Sequence, residues 1–268
     1  MTADSTFGLD ELILNRTPCG DVTTAWANLG LWDDAESYPD AARALALRLG
    51  DALELSSGQR VLDVGFGLGE QIKLWLTHYG VDSVLGFNPS TIQVSYAQEM
   101  LERASLDERA TLEPKNARAL SELPPASFER ILALDSAYHF DTRERFIHEA
   151  TRLLKPGGKL GLIDIVPTKR ALSGPRRLIT PLLAKLMQVP RANLYSADKY
   201  QAILARAPHS DFTVEDLSES IFPGFAQHIH RHPSASGKAW RKMRLTASIL
   251  MGLYDTHSIR APLVTLTR

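Results

Sequence analysis

The chain has 268 residues, of which 44% are hydrophobic and 23% are charged. These globular values exclude wholesale disorder, and the length suits one large domain with a small cap or lid. Thirty basic and thirty-one acidic residues give a formal net charge of -1, so the chain lacks the overall basic field that would hold nucleic acid.

The single cysteine, Cys19, excludes an internal disulfide and a cysteine-rich zinc site. The N-terminal residues lack the charged-then-apolar profile of a signal peptide. No uncharged apolar run reaches the roughly 18 residues that a membrane-spanning helix needs. We therefore expect a cytoplasmic protein without a transmembrane segment.

Residues 1–55 are predicted to form a helical N-terminal cap, because Pro39 precedes a run rich in alanine and leucine that Gly50 ends. From about Arg60, short apolar runs alternate with amphipathic segments. The predicted strands are 60–64, 83–87, 110–112, 128–134 and 160–166, and the predicted helices are 69–79, 90–104 and 142–154. Strands that are apolar throughout are typical of a sheet covered on both faces, so residues 56–268 are predicted to form a doubly wound, parallel α/β sheet.

The alternation stops after Val166. The pattern then predicts a basic amphipathic helix at 176–189, a short helix at 200–205, a strand at 212–221, a helix at 240–254 and a last strand at 261–267. We interpret residues 168–197 as a lid, whose leucines pack over an apolar substrate. The basic face of its helix is also compatible with weak contact with an anionic membrane surface.

A glycine-rich segment joins the first strand to the helix that follows it. It contains Asp63, Gly65, Gly67, Gly69 and Glu70. Glycines permit a tight turn and close approach of a ligand to the backbone. Three interpretations are a turn without a ligand, a dinucleotide site, and a site whose ligand places no phosphate there. Glu70 disfavours the dinucleotide, because it replaces the third glycine of that fingerprint and puts a negative charge where the pyrophosphate would bind.

Residues 61–70 resemble motif I of the class I S-adenosylmethionine (SAM) methyltransferases. Residues 127–136 and 153–160 resemble two further family motifs, in the family's order. Residues 28–32 resemble the N-x-G-Y-W motif of the small-molecule branch that includes rebeccamycin sugar O-methyltransferase, coclaurine N-methyltransferase and tocopherol C-methyltransferase, with Leu31 in place of the tyrosine. The resemblance covers about residues 55–166. It implies a mostly parallel, seven-stranded, Rossmann-like methyltransferase fold that binds SAM.

The resemblance also implies which residues hold the cofactor. Asp63 and the glycine backbone would hold its methionine end, while Asn88, Ser90 and Gln93 would face the ribose, where most class I enzymes have an acid. Asn116 falls where the family contacts the adenine amino group. Asn88 and Ser90 equally suit a turn and a helix N-cap, and Asp63 equally suits a role in ordering the loop. The full expected set is Asp63, Gly65, Gly67, Gly69, Gln71, Asn88, Ser90, Gln93, Asn116, Asp135 and Trp32.

Tyr138 and His139 follow the fourth strand, at the edge where such sheets bind ligands. By resemblance His139 is the candidate general base, since histidine titrates near neutral pH and can remove a hydroxyl proton. Tyr138 would position the substrate, and Asp164, which ends the fifth strand, would pair with His139. Structural roles remain open: His139 as a hydrogen bonder at a loop start, and Asp164 as a loop cap.

Three histidines alternate within residues 227–232: His228, His230 and His232. On a strand they would share one face, which is a geometry that can hold a metal. No carboxylate adjoins them and a proline follows. We therefore expect an exposed loop, or part of a substrate pocket, and no metal site.

These features predict an enzyme of secondary metabolism. It would transfer a methyl group from SAM, by in-line displacement, to O, N or C of a small, apolar natural-product or lipid-like molecule. One alternative is C-methylation of an isoprenoid or quinone, with or without cyclisation. Another is a non-catalytic binding protein with the SAM fold. The expected partner is a small-molecule substrate rather than nucleic acid, and a homodimer is compatible with the sequence.

Overall fold

The computed structural model describes residues 8–16, 21–208, 211–231 and 237–268, so Cys19 lies outside the described residues. A 3-10 segment (Asp10–Asn15) and helix α1 (Tyr38–Ala52) form the predicted helical N-terminal region. Helix α1 begins where the sequence indicates. The Ser37 side chain accepts a hydrogen bond from the backbone N–H of Asp40 (3.3 Å) and so satisfies an otherwise unpaired donor of the first turn.

Seven strands form one mostly parallel sheet, as predicted. Its strands are β1 (Arg60–Val64), β2 (Ser83–Phe87), β3 (Ala110–Glu113), β4 (Phe128–Leu134), β5 (Leu154–Ile163), β7 (Asp211–Asp216) and β9 (Pro262–Thr267). Two shorter strands, β6 (Val166–Pro167) and β8 (Ile259–Arg260), pair with each other. The sheet order is β3-β2-β1-β4-β5-β9-β7, in which the first five strands are parallel and β9 is antiparallel to both neighbours.

Helices cover both faces of the sheet. Besides α1 they are α2 (Glu70–Thr77), α3 (Thr91–Arg103), α4 (Arg143–Leu153), α5 (Arg176–Leu186), α6 (Ala197–Arg206), α7 (Ser218–His230) and α8 (Lys238–Asp255). Successive residues of β1 belong to different cores: Val61 packs with α1 and α2, and Leu62 packs with α4 and α6. This two-sided burial explains why the strand runs are apolar throughout.

The carboxyl ends of β1 and β4 lie side by side, because the chain crosses back over β1 after β3. Ligands of open α/β sheets bind in the crevice outside such a reversal of strand order. The Ser136 hydroxyl, just after β4, donates to the Val64 carbonyl at the end of β1 (2.9 Å). The fold therefore brings the glycine-rich segment against the segment that carries Tyr138 and His139.

The strand predicted at 212–221 is wrong in its second half. An Asx turn ends it, because Asp216 Oδ1 accepts hydrogen bonds from the backbone N–H (3.0 Å) and the hydroxyl of Ser218, where α7 begins. The prediction of a strand or loop at 227–232 is wrong as well for the residues described, since α7 continues to His230. His232 lies outside the described residues.

The lid helix α5 exposes three of its four leucines. Its buried side chains are those of Thr180 and Ala184. Leu178, Leu182 and Leu186 are 83%, 67% and 53% exposed. These three leucines recur at four-residue spacing and so form one outward stripe, whereas Leu183 lines the cavity toward α8.

One glycine of α7 allows the N-terminal region to dock on the C-terminal helices. A Cβ atom at Gly224 would lie 2.1 Å from Trp32 Cβ. We predict that Gly224→Ala lowers the free energy of unfolding by about 1–3 kcal/mol through overpacking. The matched control is Gly252→Ala in α8, where a Cβ would meet no atom within 4 Å and should be neutral or stabilising. Urea unfolding measures both, and equal stability of the two variants would contradict the docking.

Candidate active site

The glycine-rich segment forms a turn whose backbone conformation favours glycine. Gly65 and Gly67 have φ angles of +87° and +58°, a region that L-residues rarely adopt. A Cβ atom at Gly65 would lie 2.5 Å from Ser136 Cβ, and one at Gly67 would lie 3.1 Å from Ala27 Cβ. The turn is therefore enclosed by the β4 edge on one side and the N-terminal region on the other.

Glu70, at the N-terminus of α2, is bonded to the N-terminal region. Its Oε2 accepts the Ala25 backbone N–H (2.9 Å), and its other oxygen lies 3.4 Å from Lys73 Nζ. A carboxylate thus occupies the position at which a helix N-terminus would bind a phosphate. The structure agrees with the sequence in disfavouring a dinucleotide.

Asp63 is fully buried beneath the glycine turn. Its carboxylate accepts hydrogen bonds from Gln71 Nε2 (2.8 and 3.0 Å) and Trp75 Nε1 (2.8 Å). Burial raises the pKa of Asp63 to about 7, although these hydrogen bonds act to lower it. Asp63 and Gln71 therefore connect β1 to α2 and fix the turn from below.

Three of the predicted cofactor residues form one buried group at the end of β2. Asn88 Nδ2 donates to the Gly67 carbonyl (2.9 Å) and to Gln93 Oε1 (3.0 Å). Ser90 is the N-cap of α3, and its hydroxyl accepts the Gln93 N–H (3.4 Å). Gln93 Nε2 also donates to the Gly8 carbonyl (2.8 Å). The group joins the glycine turn, α3 and the N-terminal region. Asn116, by contrast, is exposed and caps a 3-10 turn through the Arg118 N–H (2.9 Å).

Asp135 links the N-terminal region to the segment after β4. One carboxylate oxygen accepts the Leu29 N–H (2.9 Å), and the other accepts the Tyr138 hydroxyl (2.9 Å). Burial raises the pKa of Asp135 to about 7. Its φ of +52° is rare for a residue with a side chain, and such strain persists only where the surroundings impose it. Trp32, which follows Leu29 by three residues, donates from Nε1 to the Leu29 carbonyl (2.8 Å).

The imidazole of His139 contacts the lid. Nδ1 lies 3.2 Å from the carbonyl oxygen of Gln188. The ring packs against that of Tyr138 in a tilted arrangement, with centroids 4.3 Å apart. Burial lowers the pKa of His139 to about 4, so the ring is neutral at physiological pH. A neutral imidazole has one unprotonated nitrogen and can accept a proton.

Asp164 is paired with an arginine that the sequence analysis missed. Its Oδ2 lies 3.2 Å from Arg143 Nη1, and its Oδ1 accepts the Ile165 N–H (2.8 Å). Both members of the pair are fully buried, and burial raises the pKa of Asp164 against the opposing effect of Arg143. The Arg143 guanidinium lies over the rings of Tyr195 (4.7 Å) and Tyr200 (5.4 Å). Arg143 begins a helix in a charged stretch, where sequence reasoning assigns arginine to the surface.

The histidines of α7 are not gathered around a metal. His228 stacks on Trp32, with ring centroids 5.0 Å apart. His230 lines a cavity of about 610 Å³ together with Trp32 and Glu219. Across the described ranges, 8–16 to 237–268, no group of three or more His, Cys, Asp or Glu side chains is placed to hold a metal ion.

A second cavity, of about 290 Å³, separates the lid helix α5 from α8. Its walls carry apolar side chains, four hydroxyl groups and one guanidinium. The lining residues are Arg176, Ile179, Thr180, Leu183, Ser248, Ile249, Gly252, Leu253, Thr256 and Ser258.

Residues 62–162 match the family described as a methyltransferase domain. The chain is 33% identical over 205 residues to the 27-O-demethylrifamycin SV methyltransferase of Amycolatopsis mediterranei, an alignment that covers 75% of this chain and 73% of that protein. The chain belongs to the SAM-dependent methyltransferase family. It is also 31% identical over 204 residues to the erythromycin 3''-O-methyltransferase of Saccharopolyspora erythraea, covering 74% of this chain and 66% of that one.

The methyltransferase fold is confirmed by solved structures. The cyclopropane synthase MmaA2 of Mycobacterium tuberculosis superposes with a TM-score of 0.78 at 18% identity, covering 100% of this chain and 96% of the other. The described part of the methyltransferase contains no helix long and apolar enough to cross a membrane.

The crevice fits SAM, the cofactor of this family. The positive-φ turn lets a ligand approach its backbone without side chains in the way, and the Asn88 side chain is bonded to the turn at the Gly67 carbonyl. Asp63 and Asp135 place two buried carboxyl groups beside the crevice, where a cationic ligand is favoured.

The raised pKa of Asp63 makes stability depend on pH. Between about pH 4 and 7 the folded protein binds a proton at Asp63 that the unfolded chain has released, so stability should fall as pH rises through this window, by about 1.4 kcal/mol per pH unit at most. Asp63→Asn cannot release this proton. Urea unfolding at pH 5 and 7.5 should therefore show wild type losing stability relative to Asp63→Asn. The matched control, Asp107→Asn on an exposed turn, should track wild type, and parallel curves for all three proteins would contradict the assignment.

Proposed function

We propose that the methyltransferase acts on a hydroxyl group of a small, mainly apolar natural-product acceptor, with His139 as general base. The observation that carries this proposal is the neutral imidazole of His139 at the carboxyl edge of β4, beside the glycine turn. The two curated relatives described above, both named as methyltransferases of antibiotics, support this acceptor class.

The cofactor residues divide into those that contact it and those that support the turn. We assign the methionine end to the backbone of Gly65, Gly67 and Gly69 with Asp135 and Trp32, the ribose to Asn88, Ser90 and Gln93, and the adenine to Asn116. We assign Asp63 and Gln71 to support of the turn from below, since their hydrogen bonds join β1 to α2. When bound, SAM supplies an electrophilic methyl carbon on a sulfonium sulfur.

His139 removes the hydroxyl proton as the oxygen gains its new bond to carbon. Its lowered pKa keeps the ring unprotonated across the physiological range, at the cost of base strength. Tyr138 packs against this ring and donates a hydrogen bond to Asp135, so it positions the acceptor relative to the base. Alignment of two bound reactants supplies much of the rate, up to roughly 7–11 kcal/mol in favourable cases.

The cavity between α5 and α8 suits the acceptor's apolar portion. Ile179, Leu183, Ile249 and Leu253 supply apolar walls, and Arg176 can bond to an oxygen-rich or anionic group. C-methylation of an isoprenoid or quinone remains the alternative within the fold. It needs no hydroxyl deprotonation, so the role of His139 separates the two reactions. A non-catalytic protein is the alternative from another class, and cofactor affinity tests it.

Calorimetric titration with S-adenosylhomocysteine and turnover of His139→Ala test this function together. Wild type should bind S-adenosylhomocysteine with micromolar affinity, on the order of 8 kcal/mol. His139→Ala should keep that affinity and lose about 10²–10⁴ in kcat with a hydroxyl acceptor. The wild-type rate should stay flat with pH above about 5, because His139 is already deprotonated. A loss of kcat below about threefold would overturn the base assignment and favour C- or N-transfer.

A membrane surface and a second copy of the chain are two further expected partners. The outward stripe of α5 supports contact of the lid with an anionic membrane. Residues 168–197 hold six basic residues and no acidic one, and the three exposed leucines stand among them. A homodimer stays a prediction from the sequence. Because like charges repel, we expect the basic surfaces of two lids to lie apart from each other in such a dimer.

Vesicle co-sedimentation tests the membrane contact. Wild type should bind vesicles that contain anionic lipid more tightly than neutral ones. Leu178→Glu combined with Leu182→Glu should weaken binding to anionic vesicles at least about tenfold, since a buried leucine contributes about 1.5–3 kcal/mol. Ile92→Glu, at an exposed apolar residue of α3, is the matched control and should bind as wild type does. Equal binding of all three proteins would argue against the lid as the contact.

A further inference from the structure

The C-terminal part of the lid is bonded to the turn that carries His139. Asn193 is fully buried, and its Nδ2 donates to the carbonyl groups of Tyr138 (3.2 Å) and Phe140 (2.7 Å). Its Oδ1 accepts the backbone N–H of Arg143 (2.9 Å). One side-chain amide of the lid therefore holds both sides of the His139 backbone and the start of α4.

A second bond from the lid reaches the imidazole itself. The Gln188 carbonyl oxygen lies 3.2 Å from His139 Nδ1. A carbonyl can only accept a hydrogen bond, so the proton of the neutral ring resides on Nδ1, and Nε2 carries the lone pair. A neutral histidine in water prefers the opposite tautomer, with the proton on Nε2. The bond to the Gln188 carbonyl of the lid therefore favours the Nδ1–H tautomer of His139.

The buried arginine keeps this part of the lid in place. Arg143 donates to the carbonyl oxygens of Asn193 and Ile165 while it pairs with Asp164. The rings of Tyr195 and Tyr200 enclose its guanidinium. The sheet edge, the start of α4 and the lid segment therefore share one buried cation, which fixes the lid backbone close to the His139 turn.

We propose that Asn193 is a positioning residue through which the lid selects the Nδ1–H tautomer of His139 and presents Nε2 as the proton acceptor. The proposal rests on the function proposed above for His139. As the acceptor oxygen forms its bond to the methyl carbon, the sulfur–carbon bond breaks and its electron pair stays on sulfur. The hydroxyl proton passes to Nε2, and the resulting imidazolium keeps its Nδ1–H bond to the Gln188 carbonyl.

This arrangement assigns to a backbone carbonyl the part that the sequence analysis gave to Asp164. A carboxylate next to an imidazole raises its pKa, whereas a carbonyl orients the ring with much less effect on its charge. Asp164 contributes at one remove, by pairing with the arginine that holds the lid. The base is therefore active only when residues 188–193 lie against the turn.

Nitrogen-15 NMR of the histidine side chains in the full chain tests the tautomer directly and needs no acceptor. His139→Gln identifies the His139 signals. Wild type should show a protonated, pyrrole-type Nδ1 and an unprotonated, pyridine-type Nε2 at neutral pH. Asn193→Leu, which has a similar volume and no hydrogen bonds, should shift His139 toward the Nε2–H tautomer. Asn193→Asp, which keeps the acceptor but loses both donors, should do the same if the leucine variant does not fold.

The matched control is Thr151→Val, which removes another fully buried polar group of this region, the hydroxyl that bonds to the Ile147 carbonyl (2.7 Å) within α4. It should lower the melting temperature without changing the His139 signals. Wild type with its proton on Nε2, or an unchanged tautomer in the Asn193 variants, would overturn the proposal. A tautomer that follows Asn193 while His139→Ala keeps full turnover would uphold the positioning role and overturn the base assignment.

Discussion

The buried guanidinium of Arg143 is the interaction on which the organisation of the site depends. Removing a charge from water costs several kcal/mol, so it is tolerated only where nearly every neighbour is complementary. Here the neighbours are the Asp164 carboxylate, two carbonyl oxygens and two aromatic faces, contributed by the end of β5, the loop after it, the lid and α6. All of these partners are more than 20 residues away from Arg143 in the sequence. If the lid left its place, the buried guanidinium would lose the Asn193 carbonyl and the Tyr195 ring, which makes the docked state of the lid specific.

Burial also governs the charge of two carboxyl groups at the crevice. Asp63 and Asp135 are enclosed without a basic partner among their hydrogen bonds, and burial raises the pKa of each to about 7. Each instead receives neutral donors: an amide and an indole for Asp63, a backbone N–H and a phenol for Asp135. Near neutral pH such groups are poised between two charge states, and a cationic ligand beside them favours ionisation. The protein thereby avoids holding two permanent buried anions at the crevice.

Local patterns predicted the parts of the fold that depend on local physics. The predicted bounds of β1, β2 and β4 match the structure, because each is a short apolar run between turn residues. The glycine turn was predictable because its φ angles admit little else. The second half of the strand predicted at 212–221 is wrong, since the Asx turn from Asp216 to Ser218 ends the strand and α7 begins there. Arg143 and Asn193 left no sequence signal, because the partners of each lie about 20 to 50 residues away.

The two sides of the lid explain why its sequence resisted interpretation. Its basic and apolar residues were read as one amphipathic pattern with the leucines inside. In the structure Leu178, Leu182 and Leu186 face outward and Leu183 lines the cavity toward α8. The contacts of the lid with the His139 turn are polar: the Gln188 carbonyl to His139, and the Asn193 amide to the adjoining turn. A backbone carbonyl has no sequence signature, and an asparagine in a loop reads as an ordinary turn residue. In the function proposed for this protein, acceptor choice and base geometry depend on the same segment, so variation in the lid would alter both together.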